Sequence, residues 1–197
     1  LLSLVIVFII VAYIGVKTNR KIANKWLEKN LPFFEENYAH LGGEREYNPN
    51  NLCLINDSYN DYKFFASGRV YVQWLLVDIS LKRRQDLVSL LSQIFLFSEK
   101  DKIMYEISLL PTEEIPMIFA ICKRKDAKYN KKNYSEINEF TEGVNLSFMD
   151  KNYICLCEDE DSVSQIFSNK KLVSQYKKIE KFIDLIFFTD RRNCKDK

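Results

Sequence analysis

The residue types that most often carry out chemistry are few in this chain and are not spaced for catalysis or metal binding. His40 is the only histidine, and no Cys, His or carboxylate spacing typical of a metal site accompanies it. The chain has five glycines but no glycine-rich phosphate loop, and no Ser or Cys lies in a nucleophile elbow. We therefore predict a protein that is not an enzyme and that uses no cofactor and no metal.

The cysteines also argue against redox chemistry. They form an odd set without a C-x-x-C motif: Cys53, Cys122, Cys155, Cys157 and Cys194. Cys155 and Cys157 are two residues apart, so they would share one face of a strand. We interpret the five as reduced structural thiols of a cytosolic domain, since cytosolic thiols are kept reduced.

Charged residues are grouped, although the net charge of the chain is only +2. The acidic run 158–161 is interpreted as a solvated loop or helix start. Two basic clusters, 82–84 and 123–132, are either solvated or contact phosphates of ribosomal RNA or lipid headgroups. The first cluster is predicted to open a helix, where the helix dipole disfavours positive charge, which is a hint that a partner surface holds it there. The candidate contact residues are Lys82, Arg83, Arg84, Lys123, Arg124 and Lys125.

The stretch 64–97 must position the first cluster. Val70, Val72 and Trp74 alternate with polar residues, which predicts a strand with Val72 and Trp74 in the core and Arg69 on the polar face. From Leu75 the apolar phase shifts by one residue, so the strand is either buried on both faces or contains a bulge near Trp74. From Leu87 the apolar spacing becomes helical and predicts an amphipathic helix to Phe95.

The first sixteen residues form an unbroken apolar run. As a helix they would rise about 24 Å, against roughly 30 Å of hydrocarbon, so we predict that residues 1–17 are the C-terminal part of a longer transmembrane helix. The alternative is the apolar region of a signal peptide, but Lys17, Arg20, Lys21 and Lys25 follow instead of a small-residue cleavage site. By the positive-inside rule this flank is cytosolic, which places residues 17–197 in the cytosol.

The rest of the chain is predicted to be α+β. Residues 18–41 would form a juxtamembrane helical connector, with either a kink or a second helix starting near Pro32. Residues 42–190 would form one domain with an antiparallel sheet and packed helices, because strands occur in runs with helices between them. Its strands would include 102–110 and 117–122 as an antiparallel pair, 152–157 and 182–188. Residues 191–197 would begin a truncated C-terminal region.

Several short motifs resemble the calumin family, the coiled-coil-domain-containing ER membrane proteins that form the PAT complex of the multipass translocon. They are S-G-R-V at 67–70, L-K-R-R-Q-D-L-V-S-L-L at 81–91, K-I-A-N-K-W-L at 21–27, N-Y-A-H-L-G at 37–42 and F-A-I-C-K-R-K at 119–125. Together they cover most of residues 20–190. The chain departs from the family in having Ala66 where a Cys is expected, and the family's acidic luminal segment and Lys/Glu-rich C-terminal tail are not among these residues.

The resemblance implies a single-pass ER membrane protein that acts as a subunit of an intramembrane chaperone. Its expected partners are a small multispanning PAT-complex protein, the ribosome-bound Sec61 translocon, other multipass translocon subunits and nascent membrane protein clients. Ala12 and Gly15 are the expected contact with the small partner, because small residues let helices approach closely. The alternative is an ER membrane tether or adaptor, in calcium handling or degradation, without contact to nascent chains.

Overall fold

A computed structural model describes residues 2–42, 54–95, 100–110 and 117–189, with the side chains of 2–4 and 92–95 excepted. Residue contacts divide the chain into two compact units, 1–112 and 113–197. The predicted α+β class with antiparallel sheets is confirmed. Each unit has its own sheet, and the long N-terminal helix supplies part of the core of the first unit.

The helices and strands follow one another along the chain in a mixed order. The helices are α1 (Leu2–Asn37), α2 (Leu87–Phe95), α3 (Ala127–Asn133), α4 (Ser135–Phe140), α5 (Glu160–Ile166) and α6 (Lys170–Ile179). The strands are β1 (His40–Leu41), β2 (Leu54–Asn56), β3 (Asp61–Arg69), β4 (Val72–Ser80), β5 (Lys102–Leu109), β6 (Ile118–Lys123), β7 (Glu142–Val144), β8 (Tyr153–Cys157) and β9 (Leu185–Thr189). Within the side chains described, no helix carries an apolar stretch long enough to cross a membrane.

The first unit is an antiparallel sheet in the order β1-β3-β4-β5, with β2 also paired to β3. Alternate residues of β3 and β4 point to one face, on which α1 lies through Ala23, Leu27 and Phe34. Phe64 is fully buried there, with its ring centroid 4.7 Å from that of Phe34. Helix α1 is continuous through Pro32, so the predicted second helix starting at that proline is wrong. The packed face outweighs the backbone hydrogen bond that a proline removes.

The stretch around Val70, Val72 and Trp74 was predicted to be one strand, but it includes the turn of a hairpin. Strand β3 ends at Arg69 and β4 begins at Val72, and Tyr71 in the turn has φ 65°. The predicted bulge is confirmed, since the pairing of β4 with β5 shifts register between Val72 and Trp74. Trp74 therefore lies half-buried on the face opposite to Leu75, and its assignment to the core is wrong.

Arg69 is exposed at the end of β3, as its predicted place on the polar face requires. Its guanidinium carbon lies 5.7 Å from the centroid of the Tyr38 ring at the end of α1. This cation–π contact gives the residue a structural role between the hairpin and the helix.

The second unit is a separate antiparallel sheet in the order β7-β8-β6-β9. One face packs on α5 and α6 through Val163 and Tyr176, and the other packs on α4 through Ile137. Both faces of β6 are thus buried. The predicted pairing of 102–110 with 117–122 is wrong, because β5 pairs with β4 and β6 pairs with β8 and β9.

Candidate functional site

The N-terminal third of α1 exposes apolar side chains around its circumference. Each of the following is between 45% and 68% exposed: Val5, Ile6, Val7, Phe8, Ile9, Ile10, Tyr13 and Ile14. A helix that is apolar all round is stable only where other apolar groups surround it, as in a protein core or a membrane. No described part of the first unit packs over these side chains, so this segment is a candidate surface for lipid or for another protein.

Packing against the first unit begins abruptly at Gly15. A Cβ atom placed on Gly15 would lie 2.3 Å from the carbonyl oxygen of Arg84 and 2.4 Å from the backbone nitrogen of Gln85. Only glycine allows the backbone of the 82–86 turn to approach α1 this closely. The turn between β4 and α2 is therefore fixed directly to the helix.

One helical turn later, Asn19 fixes the same junction with hydrogen bonds. Its side chain is completely buried. Its Nδ2 donates to the carbonyl oxygens of Tyr59 and Lys82 at 3.3 and 3.0 Å, and its Oδ1 accepts from Nη1 of Arg84 at 2.9 Å. Because a buried amide without partners would be costly, these three bonds specify how the helix sits on the loops.

Asp101 completes this junction from the start of β5. Its two carboxylate oxygens accept from Nη1 and Nη2 of Arg84 at 2.9 and 2.7 Å, and Oδ1 also accepts from the backbone N–H of Lys82 at 2.9 Å. The hydrogen bond from Arg84 is the main reason that the pKa of the Asp101 carboxyl lies below its usual value. We call Gly15, Asn19, Arg84 and Asp101 the junction; it joins the exposed apolar helix rigidly to the sheet.

The first basic cluster lies in this turn and not on a helix. Helix α2 begins at Leu87, so the expectation that Lys82, Arg83 and Arg84 open a helix is wrong, and the argument from the helix dipole does not apply. Arg84 is held in the junction by Asn19 and Asp101, whereas Arg83 is exposed. A phosphate contact by this cluster stays a prediction.

The second basic cluster lies at the end of β6. Lys123 forms an ion pair with Asp184, which raises the pKa of the lysine. Arg124 donates to Oδ1 of Asn145 at 2.6 Å and to the carbonyl oxygen of Tyr153 at 3.1 Å. Two of the predicted contact residues therefore have structural partners, and Lys125 is exposed on the following 3₁₀ turn.

Helix α6 and the 3₁₀ turn that follows it carry a basic face that was not predicted from the sequence. Its exposed lysines are Lys170, Lys171, Lys177, Lys178 and Lys181. The helical spacing of these lysines opposite the buried Tyr176 was visible in the sequence. This face is a further candidate for contact with a polyanion.

The two residues predicted to contact a membrane partner have different surroundings. Ala12 is half-buried, and Gly15 is buried against the turn of its own chain. The tight approach predicted for Gly15 is thus used within the molecule. A partner contact at Ala12 and Gly15 stays a prediction.

The described thiols have no reactive environment. Cys122, Cys155 and Cys157 are free and buried between the sheet and the helices of the second unit, and Cys155 and Cys157 share one face as predicted. Burial raises the pKa of Cys155 to about 12. Among the residues described, no group of His, Cys, Asp and Glu could hold a metal ion.

Comparison with known proteins agrees with the motifs. The family model described as "PAT complex subunit CCDC47" matches residues 1–197. The chain belongs to this family. It is 24% identical over 129 residues to the PAT complex subunit CCDC47 of Danio rerio, and 22% identical over 129 residues to that of Homo sapiens. It is also 31% identical over 132 residues to an uncharacterised protein of Arabidopsis thaliana.

These matches cover 64 to 65% of this chain but only 26 to 27% of each relative. The chain therefore spans about a quarter of the length of the curated CCDC47 relatives that it matches. The family name describes those proteins as subunits of the PAT complex.

Proposed function

We propose that this chain is a non-enzymatic, ER-membrane-anchored subunit of a PAT complex, and that the complex acts as an intramembrane chaperone beside the ribosome-bound Sec61 translocon during synthesis of multipass membrane proteins. The family match over the whole chain supports membership of the complex. The observation that carries the membrane part is the exposed apolar segment of α1, which ends where the junction begins.

In this proposal residues 1–14 lie in the bilayer, and the rest of the first unit and the second unit lie on the cytosolic side. The apolar segment is followed by Lys17, Arg20 and Lys21. Nζ of Lys17 lies 5.9 Å from the centroid of the Tyr13 ring. Aromatic and basic residues at this position are typical of the cytosolic interface of a membrane span. Digestion of sealed microsomes with protease tests the orientation: the units should be cleaved without detergent, and their protection would reverse it.

The chaperone role follows from the cost of polar residues in lipid. An intramembrane polar group costs roughly 2.5 to 3.5 kcal/mol on insertion scales until neighbouring helices shield it. A single helix cannot enclose such a client, so α1 would dock the small multispanning partner, and the junction would hold that assembly in a fixed orientation to the cytosolic sheet.

Photo-crosslinking during synthesis of a multipass protein tests this role. A photoreactive residue at Ala12 should crosslink to a small membrane protein, while one at Leu27, which is fully buried in the first unit, is the matched control and should not. Client crosslinks to the partner should fall when this protein is depleted. Client crosslinking that is unchanged by depletion would favour the tether or adaptor function instead.

We further propose that contact with the ribosome runs through exposed basic side chains. Lys125 and the lysines of α6 are exposed, whereas Arg84 and Lys123 are held in ion pairs. Reversing the charge of Lys177 and Lys178 should weaken co-sedimentation with ribosomes and reduce its dependence on salt, because fewer counterions are released. Unchanged co-sedimentation of this variant, and of a variant reversed at Arg83 and Lys125, would exclude these surfaces.

A further inference from the structure

We propose that α2 is a second membrane contact: its exposed apolar side lies in the interface of the same leaflet into which the N-terminal segment of α1 inserts. This inference rests on the proposed membrane position of α1. The occupant of the surface is the lipid bilayer itself, at the boundary between headgroups and acyl chains.

The composition of α2 is the first observation. No charged residue occurs between Asp86 and Glu99. Val88 and Leu91, which are 63% and 50% exposed, are three residues apart and therefore share one side of the helix. A charge-free helix with large apolar side chains exposed on one side is poorly suited to water, and such a side is typical of helices that lie in a membrane interface.

The position of α2 is the second, independent observation. The backbone of Arg84 and Gln85 packs against Gly15, the first buried residue after the exposed apolar segment of α1. Val88 follows Gln85 by three residues, so at most about 10 Å of chain separates it from this contact. The start of α2 is therefore at the level where the exposed apolar surface of α1 ends.

The start of α2 is also fixed to the junction. Asp86 caps the helix: its Oδ1 accepts from the backbone N–H of Val88 at 3.0 Å and its Oδ2 accepts from the hydroxyl of Ser89 at 2.6 Å. Because the Asp86 cap, the turn and Asn19 are linked, the start of α2 is held beside α1.

The charges around this surface favour a bilayer over an apolar protein partner. In the chain, Lys17 and Arg20 follow the apolar segment of α1, and Lys82 precedes α2. Basic residues beside an apolar surface are attracted to the anionic lipids of a cytosolic leaflet. An amphipathic helix bound this way buries its apolar side roughly 5 to 10 Å deep.

The test uses tryptophan as a depth reporter in the full chain. Val88→Trp, Ile9→Trp and Val70→Trp are made singly, and emission is compared with the parent, which contains Trp26 and Trp74. Each protein is reconstituted in vesicles of phosphatidylcholine and phosphatidylserine, with or without brominated acyl chains that quench on contact. Val70 is the matched control, because it is 75% exposed but lies in the turn at the opposite end of β4.

We expect the added emission of the Val88→Trp variant to fall by roughly half in brominated vesicles, as that of the Ile9→Trp variant should, because both depths are within reach of bromine. The Val70→Trp variant should not be quenched. Quenching at residue 9 without quenching at residue 88 would overturn the inference and leave the membrane span of α1 standing. Absence of quenching at both would overturn both proposals.

A second measurement separates lipid from a protein partner. A photoreactive residue at Leu91 in ER membranes should give lipid adducts. Crosslinking to one small membrane protein in place of lipid would show that α2 is a protein contact and would overturn the inference.

Discussion

In the first unit one long helix packs on one face of the sheet, whereas in the second unit helices pack on both faces. Strand β5 is at the end of the strand order, and its apolar row shares the face of α1 without being fully covered by that helix. The side chains of this row are between 43% and 53% exposed: Ile103, Tyr105, Ile107 and Leu109. Strand β6 of the second unit is buried from Ile118 to Cys122. Contiguous exposed apolar side chains of the first unit are on α1, α2 and β5. The second unit exposes the lysines of α6 and of the turn after it, together with single apolar side chains such as Ile179 and Phe182.

This difference indicates that the two units serve different contacts. Contiguous exposed apolar surface in a folded protein typically marks a membrane or protein contact, whereas a basic helix face suits a polyanion. The first unit therefore has the chemistry for lipid and membrane partners, and the second for nucleic acid or another anionic surface. We call the second unit closed, because helices cover both faces of its sheet, and the first unit open, because part of its apolar surface is exposed. The following changes test this comparison.

The largest expected effect concerns the closed second unit. Because burial raises the pKa of Cys155 to about 12, the reactive thiolate is scarce at neutral pH. Alkylation of Cys155 in the native chain at about pH 8 should be more than about a thousand-fold slower than that of a model thiol with a pKa of ~8.5. Mass spectrometry of the modified peptide measures this rate, and urea should restore it. Rapid native alkylation would mean that the second unit opens readily.

The next effect concerns the covered face of the first unit. Phe64→Ala should cost about 3 to 5 kcal/mol of unfolding free energy, because Phe64 is fully buried among aromatic rings. Trp74→Ala is the matched control on the opposite, half-buried face of the same sheet and should cost less. Denaturant unfolding in detergent micelles measures both. An equal cost would mean that the opposite face is as tightly packed as the face under α1.

The sequence predicted the elements much better than their connections. Alternating apolar residues identified β4, β5 and β8, and the apolar phase shift identified the bulge near Trp74. The hairpin turn was missed because Val70 and Tyr71 extend the strand pattern, and Tyr71 adopts a positive φ that is rare for an aromatic residue. The assignment of β5 and β6 to different sheets depends on long-range pairing that no local pattern encodes.

The candidate site was predictable only in part. The apolar segment and its basic flank are local features and were visible. The junction was not, because Asn19 and Arg84 are 65 residues apart and Arg84 and Asp101 are 17 apart. Arg84 was predicted to be a contact residue because its charge can be read from the sequence, whereas its structural partners cannot. Cys53 and Cys194 lie outside the described residues, so their predicted state as reduced structural thiols stays a prediction.

A smaller effect is expected at the junction. Arg84→Met should cost about 1 to 3 kcal/mol, because it removes the partner of Asp101 and leaves Oδ1 of the buried Asn19 without its donor. Lys63→Met, which removes the more exposed ion pair with Asp57, is the control and should cost less, because solvent screens an exposed pair. Unfolding free energies from urea titration compare the two, and similar values would show that the junction is not rigid.

The pH dependence of the same variant sharpens this comparison. Since the folded-state pKa of Asp101 is lowered, its pair with Arg84 stabilises the chain above the usual carboxyl pKa, and that contribution is lost as pH falls through the lowered pKa. The difference in stability between parent and Arg84→Met should therefore be constant above about pH 5 and should shrink as the pH falls from there to below about 3. A difference that is constant over this range would mean that the ion pair adds nothing beyond packing.

The smallest effect is expected at the closest approach of α1 to the turn. Gly15→Ala gains about 1 kcal/mol of helix propensity, but its Cβ would lie 2.3 Å from a backbone oxygen, and overpacking of this kind costs about 1 to 3 kcal/mol. The net result should be a modest destabilisation of the first unit. Gly143→Ala in the second unit is the control, because its Cβ would meet the mobile end of Ile154 at 3.0 Å, which can move aside. Hydrogen exchange of the 82–86 turn should rise in the first variant alone, and a stabilised Gly15→Ala variant would show that the turn is free to move away from the helix.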